Sequence, residues 1–143
     1  MNEDDYQALK SRLIHDLARE PMIWGDPSRL TVGQGVVLNN ATVNVASGNI
    51  HIGASAFMGH NVSLLTGNHD VTQLGEARKN AVPQTGRDIV IGKGVWIASN
   101  ATVIGPCVLG DDSVVCAGAV VLGDVASGAI VAGVPAAQIG TIK

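Results

Sequence analysis

Aromatic side chains are scarce: Tyr6, Trp24, Phe57 and Trp96 are the only four in 143 residues. Hydrophobic residues still make up 46% of the chain. The core must therefore be filled by Val, Ile, Ala and Leu, which suits thin, regular layers better than a conventional sandwich. An excess of basic charge is missing too. Nine Lys and Arg against twelve Asp and Glu leave a net charge of −3, without the clustered basic surface that nucleic-acid binding requires. Cysteine is nearly absent. Cys107 and Cys116 fit no metal spacing and no disulfide framework, and read as buried thiols in a reducing, cytoplasmic compartment. Met1–Asp5 is acidic and no apolar run follows it, so no secretory leader is expected. Ser113 to Val134 has Asp124 as its only charge and is long enough to suggest a membrane span. A hexad pattern continues through it, however, and a spanning helix has no reason to keep that period. It reads as core rather than as a span.

The hexad is the dominant feature present. Ile91, Ile97, Val103, Leu109, Val115 and Val121 are aliphatic at strict intervals of six, and Ile52, Met58 and Leu64 keep the same step, as do Val32 and Leu38. Four positions after these anchors, Leu64 excepted, stand Val36, Thr42, Ala56, Val62, Val95, Ala101, Cys107, Ser113, Ala119 and Val125, all small or β-branched. Glycine follows several anchors, as at Gly33, Gly53, Gly59, Gly92 and Gly110. A period of six matches neither an α-helix nor one long strand. It fits a very short strand plus a turn, repeated so that each layer buries its faces against the next.

Breaks in the ruler mark where the chain departs from it. Val32 to Ile52 is 20 residues, two more than three hexads, with the excess near 46–49. Ile52 to Ile91 is 39, which leaves a long insertion at 67–88. That stretch is polar and turn-rich, and long loops on rigid scaffolds are often functional. Ahead of the repeats, Tyr6, Leu9, Leu13, Leu17 and Ala18 recur at helical spacing, with Asp4 or Asp5 near the start and Pro21 as a stop. This predicts an amphipathic helix that packs on the first coil or on a neighbouring subunit. The expected organisation is a helix and lead-in over 1–29, repeats over 30–136 interrupted at 67–88, and a tail over 137–143.

The pattern from Leu30 to Pro135 resembles the hexapeptide-repeat acyltransferases, in which three hexads form one coil of a left-handed parallel β-helix. The run Ile50-His51-Ile52-Gly53, through Gly59-His60-Asn61-Val62-Ser63 to Leu64-Leu65-Thr66-Gly67-Asn68-His69-Asp70, and Val95-Trp96-Ile97 beyond, are particularly similar to galactoside and maltose acetyltransferases and to polysaccharide O-acetyltransferases. The resemblance implies an all-β fold of left-handed winding, a homotrimer with sites between subunits, acetyl-CoA as donor and a sugar or glycan hydroxyl as acceptor. It implies His69 as general base, because an attacking hydroxyl must lose a proton and neutral imidazole can take it near physiological pH. Trp96, Ser99 and Ala117 would line the donor groove, Trp96 also bordering the acceptor. Asn39 or Asn40 would bind the acceptor, or else form a turn or ladder between coils; the two readings carry equal weight. His51 reads as a surface or corner residue and His60 as structural.

Two departures weigh against a simple transfer of that function. The family's usual Thr-Lys before Asp is here Leu122-Gly123-Asp124, and Gly133-Val134-Pro135 continues as Ala136-Ala137-Gln138 without arginine. The coenzyme's 3′-phosphate would then rely on Arg78, Lys79, Arg87, Lys93 or Lys143. This keeps a non-catalytic scaffold subunit open as an alternative. A γ-type carbonic anhydrase is the weaker one, since Thr66 and Val71 stand where that family carries zinc-binding histidines. No metal is expected.

Overall fold

The computed structural model describes residues 1–143. The chain opens with α1 (Glu3–Arg19), then β1 (Met22–Trp24), a 3-10 turn at Pro27–Arg29, β2 (Leu30–Val32), β3 (Thr42–Asn44) and β4 (Ile50–Ile52). β5 (Phe57–Met58), β6 (Ser63–Leu65), α2 (Gly75–Asn80), β7 (Ile89–Ile91), β8 (Trp96–Ile97) and β9 (Thr102–Ile104) follow. The last strands are β10 (Cys107–Leu109), β11 (Val114–Val115), β12 (Val120–Val121), β13 (Ala129–Ala132) and β14 (Ala137–Thr141).

Three sheets are visited in rotation. One holds β1, β3, β6, β9 and β12; the second β2, β4, β7 and β10; the third β5, β8, β11, β13 and β14. Every pairing is parallel except β13 with β14. Ile89 pairs with Cys107, Trp96 with Val114 and Thr102 with Val120, so each full turn between Ile89 and Val120 takes 18 residues. The molecule is a three-walled parallel β-helix. The apolar stretch Ser113–Val134 is divided among β11, β12 and β13, and no helix is long and apolar enough to cross a membrane.

The hexad anchors from Ile52 onward fill the interior, with Ile97, Leu64, Val103, Leu109 and Val115 fully buried. Burial of each such aliphatic side chain contributes roughly 1.5–3 kcal/mol, and stacking identical positions coil after coil gives one continuous core. The small residues take the corners: Ala56, Val62, Val95, Ala101, Ser113 and Ala119 are all buried. Thr42 departs from this expectation. Ala41 is the buried residue there, and Thr42 pairs with Ser63.

That shift has a local cause. From Val37 to Thr42 is five positions, where the matching step from Phe57 to Ser63 is six. From Thr42 to Ile50 is eight, where Thr102 to Cys107 is five. The two-residue excess is thus three extra residues at one corner and one fewer at another. Asn39, with φ +48°, makes the shortened turn; asparagine tolerates this left-handed region better than most side chains.

The first helix is as predicted, with the Asn2 side chain accepting from the Asp5 amide at 2.8 Å. Its apolar stripe does not pack on its own coil: no α1 residue is buried, and Leu13 and Leu17 stay exposed. At the other end, residues of the expected tail form β14, turned back antiparallel on β13 after Gly133–Ala136. Alternation over so short a run gives little sign of a strand.

Candidate functional site

Residues 66–88 connect β6 to β7. The start of this segment is anchored by a buried polar stack. Thr66 Oγ1 donates to the Asn44 carbonyl at 2.8 Å and accepts from the Ser47 amide at 3.1 Å, while the Asn68 amide donates to Ser47 Oγ at 3.3 Å. Ser47 and Thr66 are wholly buried, so these bonds replace water that neither group can reach. Gly67 leaves room for Asn44: a Cβ there would lie 2.6 Å from Asn44 Nδ2. The return limb is held by Arg87, whose amide donates to the Ser47 carbonyl at 3.2 Å.

Between those limbs the segment closes on itself. The Asp70 amide donates to the Ala81 carbonyl at 2.9 Å. The Asp70 carboxylate accepts from Thr72 Oγ1 at 2.7 Å and from the Thr72 amide at 2.9 Å. These two bonds, the hydroxyl's first, hold its pKa below the ordinary 3.8. The segment borders an open cavity of about 590 Å³ lined by Asn68, His69, Asp70, Val71, Asn80, Ala81, Val82 and Pro83.

His69 stands exposed on this cavity. Its Nδ1 lies 3.0 Å from the Arg78 carbonyl. A carbonyl only accepts, so Nδ1 carries the hydrogen and the lone pair of the neutral ring is left on Nε2. A side chain with this tautomer fixed is equipped to take a proton from a hydroxyl.

The other residues singled out from the sequence lie elsewhere on this chain. Trp96, half exposed on β8, stacks on Phe57 of β5 with centroids 6.0 Å apart and an interplanar angle of 12°. Ser99 lies at the turn after β8, where its Oγ accepts from the His60 amide at 3.0 Å. Ala117 is exposed at the matching turn one coil on. Asn39 Nδ2 donates to the Met58 carbonyl at 2.7 Å, and Asn40 bonds to Asn61. None of these five lines the His69 cavity. His60 borders a separate groove with Arg19 and Asn39, and His51 is exposed on β4.

Of the cations named for a phosphate, Arg78 is bonded within its own turn and Lys79 pairs with Glu76 at 3.6 Å. Lys93 and Lys143 are exposed. The Arg87 Nε is buried without a partner. Thr66 spends its hydroxyl on the backbone, and no cluster of three His, Cys, Asp or Glu side chains is placed to hold a metal ion. Asn80 was not legible as a site residue, and Arg78 was legible only as a candidate phosphate contact, not as a partner of His69. They reach His69 only through the closure of a polar loop, for which periodicity offers no ruler.

Comparison with known proteins agrees with this architecture. The model of the bacterial transferase hexapeptide, six repeats, matches residues 88–123. The chain is 30% identical over 115 residues to galactoside O-acetyltransferase of Escherichia coli K12, covering 80% of this chain and 55% of that one. It is 35% identical over 106 residues to serine acetyltransferase 2 of Arabidopsis thaliana, covering 73% of this chain and 28% of the relative. It therefore spans about half of the one relative and about a quarter of the other. A hexapeptide-repeat acetyltransferase of Vibrio cholerae O1 biovar eltor, solved with acetyl coenzyme A, superposes with a TM-score of 0.72 at 24% identity, over all of this chain and 79% of that one.

Proposed function

We propose that this chain is a hexapeptide-repeat acyltransferase that transfers an acetyl group from acetyl-CoA to a sugar or glycan hydroxyl, with His69 as general base. The observation that carries the reading is the Nδ1 contact to the Arg78 carbonyl beside an open cavity. Nε2 takes the proton of the acceptor hydroxyl as its oxygen bonds to the thioester carbonyl carbon. The resulting imidazolium returns that proton to the sulfur as the C–S bond breaks, so ring and protein end unchanged. No covalent intermediate on the protein is needed.

The wall chemistry supports a neutral polyol acceptor. Asn68 and Asn80 offer donors and acceptors to hydroxyls, and Ala81, Val82 and Pro83 give an apolar face. Asp70, held ionised by Thr72, disfavours a carboxylate-bearing acceptor such as serine. Trp96, Ser99 and Ala117 are assigned to the donor groove, and Asn39 or Asn40 to acceptor contacts made from a neighbouring copy. That none of the five lines the His69 cavity fits a homotrimer in which one chain supplies the base and the next the donor groove. A left-handed winding and an inserted loop at 67–88 complete this reading.

His69→Ala is expected to keep the fold and cut acetyl transfer by on the order of 10²-fold or more. The measurement is free-thiol release with galactosides, maltose, nucleotide sugars and L-serine as acceptors. Undiminished turnover in the variant rejects the base. Preference for L-serine rejects the acceptor class. Failure to bind acetyl-CoA at millimolar concentration favours the scaffold alternative.

A further inference from the structure

We propose that Arg78 is a positioning residue that fixes the His69 tautomer by acting at both ends of itself. Its carbonyl accepts from His69 Nδ1 at 3.0 Å. Its guanidinium reaches back over the same turn, Nε donating to the Gln73 carbonyl at 2.8 Å and Nη2 to the Val71 carbonyl at 3.3 Å. The residue therefore ties the imidazole to the tip of the loop, 71–73. Asp70, next to His69, braces that tip from the other side by accepting from Thr72 and from Gln73 Nε2 at 3.5 Å.

The reason for needing such a brace is physical. The loop has no buried residue between Asn68 and Asp88, so packing does not hold its shape. The Ala81 amide also donates to the Arg78 carbonyl, at 3.2 Å. That carbonyl's direction, and with it the hydrogen on Nδ1, depends on where residue 78 sits. Charge-assisted bonds from one guanidinium to two carbonyls are the strongest contacts fixing that place. An ammonium lacks the planar fork that spans both.

The catalytic part rests on the His69 reading above; the positioning part does not. Nitrogen-15 NMR of the full-length protein reports which ring nitrogen carries the hydrogen, without any turnover. The wild type is expected in the Nδ1–H form. Arg78→Ala should shift the ring toward Nε2–H or a mixture, with an unchanged thermal midpoint. Arg78→Lys should recover part of the Nδ1–H population. In kinetics, Arg78→Ala should lower kcat roughly tenfold, leaving KM for acetyl-CoA within about twofold. An Nε2–H wild type, or an Arg78→Ala protein that keeps the Nδ1–H form, overturns the proposal. A tautomer shift in Arg78→Ala alongside full activity of His69→Ala would leave positioning intact and reject only the base.

Discussion

Asn40 and Asn61 exchange two hydrogen bonds across successive coils: Asn40 Nδ2 donates to Asn61 Oδ1 and the Asn61 amide donates to Asn40 Oδ1, both at 2.8 Å. The pair sits where the first coil's turn is one residue short, and it sews that turn to a regular one. Asn40→Ala is expected to lower stability by about 1–2 kcal/mol. A double-mutant cycle with Asn61→Ala should return a coupling of roughly 0.5–1.5 kcal/mol by chemical denaturation. Zero coupling would mean that the two amides act separately, and an acceptor-binding role for Asn40 would then gain weight.

The same turn marks how far the sequence could be read. From Ile89 to Val121 the hexad ruler placed every anchor, because each coil there is 18 residues and a spacing names a unique position. Over the first coils it returned only a sum. An excess of two between Val32 and Ile52 conceals a gain of three at one corner and a loss of one at another, which put Thr42 in the corner that Ala41 fills. His69 was singled out because it stands where a hexad meets the insertion, inside the stretch that resembles the acetyltransferases. Arg78 was named only as a candidate phosphate contact; its bond to His69 was not legible, since a loop closed by carbonyl contacts obeys no period.

Close stacking makes some glycines indispensable and others replaceable. A Cβ on Gly53 would lie 2.7 Å from both the Gly92 carbonyl carbon and the Lys93 amide nitrogen, all rigid backbone. Gly123 meets nothing within 4 Å. Gly53→Ala should destabilise by about 2–3 kcal/mol, and Gly123→Ala should change stability by less than about 0.5 kcal/mol. Equal denaturation midpoints for the two variants would contradict the stacking of these coils.

Burial pushes the Cys107 thiol up to about 11 from 9.0, helped by the nearby Asp124 carboxylate. The folded protein holds this proton after the unfolded chain has released its own. The associated stability is present below pH 9 and is lost as pH rises toward 11. An aromatic disulfide reagent at neutral pH should modify at most Cys116, which is half-buried, until denaturant is added. Rapid reaction of two thiols in the native protein would exclude this placement of Cys107.

Trp96 and Phe57 offer a flat, half-exposed apolar platform on the third sheet. If the donor runs along it, Trp96→Ala should weaken acetyl-CoA binding by roughly tenfold, about the worth of one aromatic contact with its buried area. The denaturation midpoint should move little, since the ring is 45% exposed. Unchanged donor affinity by calorimetry would remove Trp96 from the groove.

Arg29 joins three segments far apart in sequence. Its Nε donates to Asn49 Oδ1 at 2.9 Å, Nη1 to the Ala46 carbonyl at 3.2 Å and Nη2 to the Gln84 carbonyl at 2.8 Å. The first two secure the enlarged corner, and the third secures the limb by which the His69 loop returns to the coil. Arg29→Ala should cost about 1–3 kcal/mol, the range for charged hydrogen bonds lost from a partly buried site. Arg29→Lys should restore only part of it, because one ammonium cannot match three divergent acceptors. The loss should be uneven: hydrogen exchange should quicken at the Arg87 and Ile89 amides, which donate to Ser47 and Asn49, while Ile97 and Val115 in the later coils keep wild-type protection. Uniform quickening across all coils would instead make Arg29 a contributor to global stability, with no particular hold on the loop.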